Sequence, residues 1–198
     1  MYGSGRPPAA GRTAAAEPAR PPRRAAFRLR RSRLSGDGHV NLSPKGRAGT
    51  LVVIDETTLA YLDFGGSGAE TIAHVRENGR ITLMWCAFSG PPNIVRIHGD
   101  GEAVFRDDPR WDGLIERFAD ADGPSARAVI LVRTRRIATV CGFAVPMMEY
   151  QGERTLHAEY FGRKTDEGFN AYCEKKEFIA VSVDGLPALP LPLPPRTV

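Results

Sequence analysis

A glycine-rich segment with hydroxyl side chains is the first part of this sequence that could do chemistry. It reads Gly-Gly-Ser-Gly-Ala-Glu-Thr at residues 65–71, between a predicted strand and a predicted helix. Glycines let backbone N–H groups approach a ligand closely, and together with a helix dipole they favour an anion such as phosphate. Ser67 with Glu70 also matches a capping box, which would merely begin the helix. The residues alone leave open both an anion site, at Ser67, Gly68 and Thr71, and a plain helix cap.

A strand that ends in a lysine is the second candidate. In the run NLSPKG at 41–46, Asn41 and Ser43 share one face of the strand, and Lys45 follows just past its end. A lysine binds phosphate as a point charge, and an ordinary exposed lysine is an equally good interpretation. Arg96 stands inside an apolar strand segment, where a guanidinium needs an anion or a carboxylate partner.

The sequence lacks the common motifs of metal, nucleotide and nucleophile chemistry. The four histidines have no metal-ligand spacing, and the three cysteines lie far apart without a C-x-x-C pair. There is no P-loop and no G-x-S-x-G. We therefore predict no metal site, no disulfide framework and no catalytic side chain, and we expect a reducing, cytoplasmic setting.

Charge is distributed unevenly along the 198 residues. Residues 1–35 carry nine arginines and one glutamate, which leaves 18 basic and 22 acidic residues for the rest of the chain. The rest of the chain is therefore mildly acidic and lacks the excess of basic residues that binds nucleic acid. No apolar run approaches the ~18 residues of a membrane span. We expect neither a nucleic acid nor a membrane as partner.

The elements that must position these residues are mostly strands. The hydrophobic pattern predicts strands at 39–43, 50–54, 59–63, 80–88, 93–105 and 126–140, and helices near 68–78, 108–118 and within 152–179. In the first strand Val40 and Leu42 would face the core, and the 50–54 strand would be buried. Gly99 and Gly101 predict a bulge. Hairpin-connected strands with peripheral helices indicate a mainly β fold, an antiparallel barrel or sandwich.

Longer runs of the chain resemble a known family. SGDGHVNLSPKG at 35–46 and LAYLDFGGSGAETIAHVRENGRITLMWCAFSGPPNIVRIHGDGEAV at 59–104 are similar to the pyridoxamine 5′-phosphate oxidase-like family of FMN-binding split β-barrels. GFAVPMMEYQGER at 142–154 and SVDGLPAL at 182–189 resemble one bacterial branch of it. The resemblance implies a homodimer that binds FMN in clefts between its subunits.

The resemblance also assigns roles to individual residues. The strand of Asn41, Ser43 and Lys45 would lie along the flavin, with Lys45 on the phosphate. A second phosphate contact would come from Ser67, Gly68 and Thr71, although the arginine and lysine that the family has in this turn are missing. Arg96 matches the family motif R-Q-V-R-I-x-G, in which Ile94 replaces the glutamine.

Composition and the resemblance together divide the chain into four parts. They are an Arg/Ala/Pro-rich disordered tail at 1–34, a split-barrel flavin-binding domain at 35–150, a helical extension at 151–185 and a solvated Pro-rich tail at 186–198. The family has an apolar first strand where this chain reads AFRLRRSRL, at 26–34. This departure suggests a frameshift or a misplaced start upstream of about residue 34. If the sequence is instead genuine here, we expect the barrel to lack one strand.

The resemblance implies an FMN-dependent oxidoreductase that acts on a small-molecule substrate or electron donor, the flavin carrying the chemistry. One alternative is a non-catalytic binder of a flavin, a deazaflavin or haem on the same barrel. Another is a nucleic-acid or membrane-surface module that uses the arginine-rich tail.

Overall fold

One antiparallel sheet organises the protein. The computed structural model describes residues 28–33, 38–66, 68–119 and 125–195. Within them the strands are β1 (Arg28–Arg33), β2 (Val40–Lys45), β3 (Leu51–Val53), β4 (Thr58–Phe64), β5 (Arg80–Cys86), β6 (Ile94–Val104) and β7 (Ala126–Val140). The helices are α1 (Glu70–Asn78), α2 (Trp111–Ile115), α3 (Leu156–Gly162), α4 (Asp166–Glu174) and α5 (Glu177–Ala180). The strand order is β2-β1-β5-β6-β7-β4-β3.

The sheet curls so that its two edges meet. Edge strands β2 and β3 follow each other in the chain, separated only by residues 46–50. Six spacings of ~4.8 Å would part the edges of a flat sheet by roughly 29 Å. The six Cα steps from Lys45 to Leu51 span at most about 21 Å. The mainly β barrel expected from the sequence is therefore confirmed, with helices at its periphery.

The core lies on both faces of β4. On one face Leu59 and Tyr61 join a large cluster with α1, α4 and the inner residues of β5 and β7. On the other face Ala60 and Leu62 pack with Trp111 of α2 in a smaller cluster. This arrangement buries β4 completely between Leu59 and Asp63, so the strand leads from the middle of the core to the glycine-rich segment.

Strand β2 alternates as predicted, but with the opposite face covered. Asn41, Ser43 and Lys45 are half-buried, whereas Val40 and Leu42 are 44% and 58% exposed. The polar face is covered because α1 and β4 present hydrogen-bonding groups to it. The expectation that Val40 and Leu42 face the core of the chain is therefore wrong. Strand β3, expected to be buried, is instead a half-exposed edge strand.

The arginine-rich segment contributes a strand. β1 (Arg28–Arg33) pairs antiparallel with β2 on one side and with β5 on the other. The expected disorder of residues 1–34 is wrong for this stretch, and the barrel does not lack a strand at this place. Residues 1–27 and 34–37 lie outside the described part of the chain.

Helix α1 ends as predicted but does not begin as predicted. Gly79 adopts the left-handed conformation at the helix C-terminus, with φ of 71°, as the Asn-Gly pair indicated. At the other end Ala69 is the N-cap, and no side chain caps the helix. The carboxylate of Glu70 accepts a hydrogen bond from the backbone of Val183, at 2.9 Å. The predicted capping box involves Ser67, which lies outside the described residues.

The C-terminal region packs onto the barrel. Phe161, Phe169 and Cys173 of the helices are buried in the large cluster. The Pro-rich tail is not solvated as expected, because Leu189 and Leu193 are buried in the same cluster. No described helix is long and apolar enough to cross a membrane.

Candidate functional site

Polar side chains of β2 form a short hydrogen-bonded chain that ends on α1. Ser43 Oγ donates to Asn41 Oδ1 at 3.1 Å, and Asn41 Nδ2 donates to Thr71 Oγ1 at 2.8 Å. Thr71 is buried in the first turn of the helix. Since its oxygen accepts from Asn41, its hydroxyl hydrogen can donate to a further acceptor. The structure thus brings together Asn41, Ser43 and Thr71, from two separate stretches of sequence.

A buried carboxylate lies beside this chain and binds two cations. Lys45 Nζ is 3.2 Å from Asp63 Oδ2, and Arg127 Nε is 2.8 Å from Asp63 Oδ1. Asp63 and Arg127 are almost inaccessible, whereas the Lys45 side chain is 24% exposed. Lys45 is therefore held at the end of β2 by an ion pair that spans the closing edge of the sheet.

The glycine turn, by which we mean the described residues 65, 66 and 68–71, is contacted at Gly65 and Gly68 by other parts of the chain. His157 Nε2 donates to the carbonyl of Gly65 at 2.7 Å, and Gly65 N donates to Ser125 O at 2.7 Å. Arg127 Nη2 donates to the carbonyl of Gly68. Gly68 has a φ of 118°, a conformation that L side chains rarely adopt. These contacts fix the path of the backbone into α1.

Helix α4 comes so close to the glycine turn that only glycine fits at residue 65. A Cβ at Gly65 would lie 2.4 Å from the ring of Phe169, whereas at Gly66 it would meet nothing within 4 Å. The Phe169 ring belongs to an aromatic cluster with Phe161 and Tyr172. Helix α4 of the helical extension therefore packs directly against the glycine turn.

The C-terminal tail also reaches the start of α1. Asp184 binds His39 through two bonds, to the backbone N at 2.9 Å and to Nδ1 at 2.7 Å. The hydrogen bond and the charge of Asp184 raise the pKa of His39, and His39 lowers the pKa of Asp184. Together with the hydrogen bond from Val183 to Glu70, these contacts attach the segment of Val183 and Asp184 to the start of β2 and to α1.

The remaining predicted site residues stand apart. Arg96 is half-buried on β6, and its cross-strand partner is Met84 of β5. Across β1, Met84 is in register with Pro44 of β2, so Arg96, Met84 and Pro44 share one face of the sheet. Pro44 lies on the opposite face of β2 from its neighbours Ser43 and Lys45. Arg96 therefore lies on the opposite face of the sheet from the polar face of β2. Ser67 falls outside the described residues.

Three residues of this site were not expected from the sequence: Asp63, Arg127 and His157. Asp63 and Arg127 each interrupt an apolar strand run, YLDF and ARAVILV, which is the signal that singled out Arg96. Applied to every strand, the same criterion would have found both. His157 carries no comparable signal, because its partner is a backbone carbonyl.

The arrangement is suited to holding an anion. The first N–H groups of α1 have no acceptor within the helix, and the helix dipole adds partial positive charge at the same end. Thr71, Lys45 and Arg127 lie at or beside this helix start. Buried Arg127 Nη1 has no hydrogen-bond partner among the described residues. These donors are suited to binding a small anion such as phosphate.

Comparison with known proteins identifies relatives over the barrel. The family model of pyridoxamine 5′-phosphate oxidase matches residues 32–141. The pyridoxamine 5′-phosphate oxidase family protein ustO of Aspergillus flavus is 40% identical over 112 residues, which are 56% of this chain and 45% of that protein. The chain thus spans less than half the length of this relative.

The chain is also similar to solved structures, at lower sequence identity. HupZ of group A Streptococcus has a TM-score of 0.47 and 16% identity, over 59% of this chain and 86% of that chain. An FMN-binding protein from Syntrophomonas wolfei has a TM-score of 0.43 and 16% identity, over 59% of this chain and 77% of that chain.

Proposed function

Because this chain belongs to the pyridoxamine 5′-phosphate oxidase family, we propose that it is an FMN-dependent oxidoreductase. The observation that carries the proposal is the set of donors at the glycine turn. Thr71, Lys45 and the start of α1 would hold the phosphate, and Asn41 with Ser43 would orient Thr71. A bound flavin supplies hydride or electron transfer, so the chain needs no catalytic acid or base of its own.

The protein would supply binding and orientation. Asp63 holds Lys45 at the end of β2, so the ammonium is fixed before a ligand arrives. Arg127, His157 and Phe169 hold the glycine turn, which avoids the entropy cost of ordering a loop on binding. Arg96, on the outer face of the sheet, would act at the flavin ring or the substrate rather than at the phosphate.

We further propose that the active form is a homodimer. Val40 and Leu42 of β2 and Val140 at the end of β7 are exposed apolar side chains that the strand register places on one face of the sheet. A two-fold dimer would cover such side chains with the same patch of a second copy. The cleft between the copies would admit a small-molecule substrate or electron donor beside the flavin.

The visible spectrum of the purified protein after incubation with FMN tests the proposal. A yellow protein that keeps FMN through gel filtration and bleaches with a nicotinamide donor is the expected result. FMN uptake with no turnover of any donor would instead favour the non-catalytic binder. Retention of haem or a deazaflavin in place of FMN would change the cofactor. A protein that takes up no flavin would contradict the proposal.

A further inference from the structure

Two buried arginines of this chain differ in how completely their nitrogens are bonded. Arg106 and Arg127 are 7% and 1% exposed, and each pairs with an aspartate. Every nitrogen of the Arg106 guanidinium donates to an oxygen, on Ala126, Asp166 or Pro194. Arg127 Nη1 is buried without an acceptor among the described residues. Because buried donors are nearly always satisfied, this nitrogen calls for a group from outside the described chain.

The position of Arg127 indicates where that group would lie. Its Nη2 donates to the carbonyl of Gly68, in the glycine turn. Nη1 is attached to the same planar carbon as Nη2, so it too lies at the turn. The backbone of the turn leads directly into the N-terminus of α1, which attracts negative charge.

The charges around Arg127 also bear on the kind of group. Asp63 is paired with both Arg127 and Lys45. The start of α1 adds partial positive charge, whereas Glu70 in its first turn adds a carboxylate. An anion beside Arg127 would satisfy the orphaned nitrogen.

We propose that Arg127 donates through Nη1 to the anionic group bound at the glycine turn, and so supplies the cation that the turn itself lacks. The identification of this group as a flavin phosphate rests on the proposed function. The anion site itself rests on the contacts of Arg127, Asp63 and Gly68. In this chain the cation reaches the turn from β7, about sixty residues further along the sequence.

The test compares the same change at the two buried arginines. Arg127→Lys keeps a cation for Asp63 but replaces three separate guanidinium nitrogens, which can reach Asp63, Gly68 and an anion at once, by a single nitrogen. Arg106→Lys is the matched control, since it weakens a buried ion pair elsewhere in the core. Dissociation constants for FMN and riboflavin come from quenching of flavin fluorescence. Thermal unfolding with and without inorganic phosphate provides a readout that needs no flavin.

We expect Arg127→Lys to weaken FMN at least tenfold, to change riboflavin less than twofold and to abolish stabilisation by phosphate. Arg106→Lys should lower the melting temperature and leave the FMN-to-riboflavin ratio unchanged. Unchanged FMN affinity in Arg127→Lys, or equal losses for both ligands, would overturn the inference. If Arg127→Lys does not fold, the double variant Asp63→Asn/Arg127→Met removes both buried charges, and an unchanged ligand ratio there would overturn it as well.

Failure of the proposed function and failure of the inference about Arg127 would give different binding results. A wild-type protein that binds neither flavin, yet is stabilised by phosphate through Arg127, contradicts the flavin and supports the anion site. A wild-type protein that binds FMN but is indifferent to the loss of Arg127 supports the flavin and overturns the role of Arg127. Stabilisation by neither flavin nor phosphate overturns both.

Discussion

The ion pair with Asp63 holds Lys45 at the end of β2, so the proposed contact of Lys45 with a phosphate can be tested by a single substitution. If Lys45 contacts the FMN phosphate, Lys45→Ala should weaken FMN by ~1.5–3 kcal/mol, the contribution of a charged hydrogen bond. Riboflavin, which lacks the phosphate, should lose little. The fold should survive, because Asp63 keeps its pair with Arg127. Fluorescence titration with both ligands measures the difference, and equal losses would mean that the variant damages the barrel instead.

The sequence indicates which single residues are unusual for their position, but not which of them meet in the folded protein. Lys45 and Thr71 stand at the ends of elements that periodicity and glycine placement define. Asp63 and Arg127 meet only in the folded sheet, 64 residues apart in sequence. Strand β2 shows a second limit. Alternation defined its two faces, but which face is covered depends on α1 and β4, which come later in the chain.

Among the secondary-structure elements, the bounds of β7 and the bulge in β6 followed from local sequence signals. Strand β7 runs from Ala126 to Val140 as predicted, and the register of β6 against β7 shifts between His98 and Gly99, as the glycines indicated. The Pro-rich tail was misjudged because its burial depends on a groove that other elements build. Its leucines could be recognised as apolar, but not as covered.

The contact between α4 and the glycine turn leads to a prediction for Gly65. Gly65→Ala places a methyl group against the Phe169 ring, so it should destabilise the protein by ~1–3 kcal/mol, the usual cost of overpacking. Gly66→Ala is the control, since its methyl group meets nothing within 4 Å. Denaturant unfolding of both variants measures the difference. Equal stability of the two would show that α4 does not press on the turn.

The ion pair between Asp184 and His39, the residue before β2, predicts that the stability of the fold depends on pH. The raised pKa of His39 stabilises the fold below its ordinary value of 6.5, and this contribution disappears as the pH rises through the raised value. The lowered pKa of Asp184 stabilises above 3.8, and its contribution disappears as the pH falls through the lowered value. The pair should therefore stabilise most between about pH 4 and 6.5.

Melting temperatures of wild type and His39→Gln between pH 4 and 9 measure this contribution. The advantage of the wild type should be largest near pH 5–6 and should vanish at alkaline pH, where His39 is neutral. A difference that stays constant across this range would show that the ion pair contributes nothing that titrates.

For the whole molecule, the exposed side chains of β2 predict its assembly. Light scattering should report about twice the chain mass of 21.6 kDa. Leu42→Asp should shift the protein toward monomer and weaken flavin binding, because it places a charge on the apolar face that a second copy would cover. Leu42→Met keeps this face apolar and should remain dimeric. A wild-type monomer that binds FMN tightly would contradict the dimer.

The place of β7 in the sheet has a consequence for biosynthesis. β4 pairs with β3, its neighbour in the chain, and with β7, whose first residue comes 62 positions after β4 ends. While the ribosome is still making the residues before Ala126, the β3–β4 hairpin has one edge with no partner. Such edges recruit other strands, and non-local pairing of this kind is slow, on the order of milliseconds to seconds. Until β7 is complete, the open edge of β4 is therefore available to strands of other chains, so we expect incomplete chains to aggregate more readily than the finished protein.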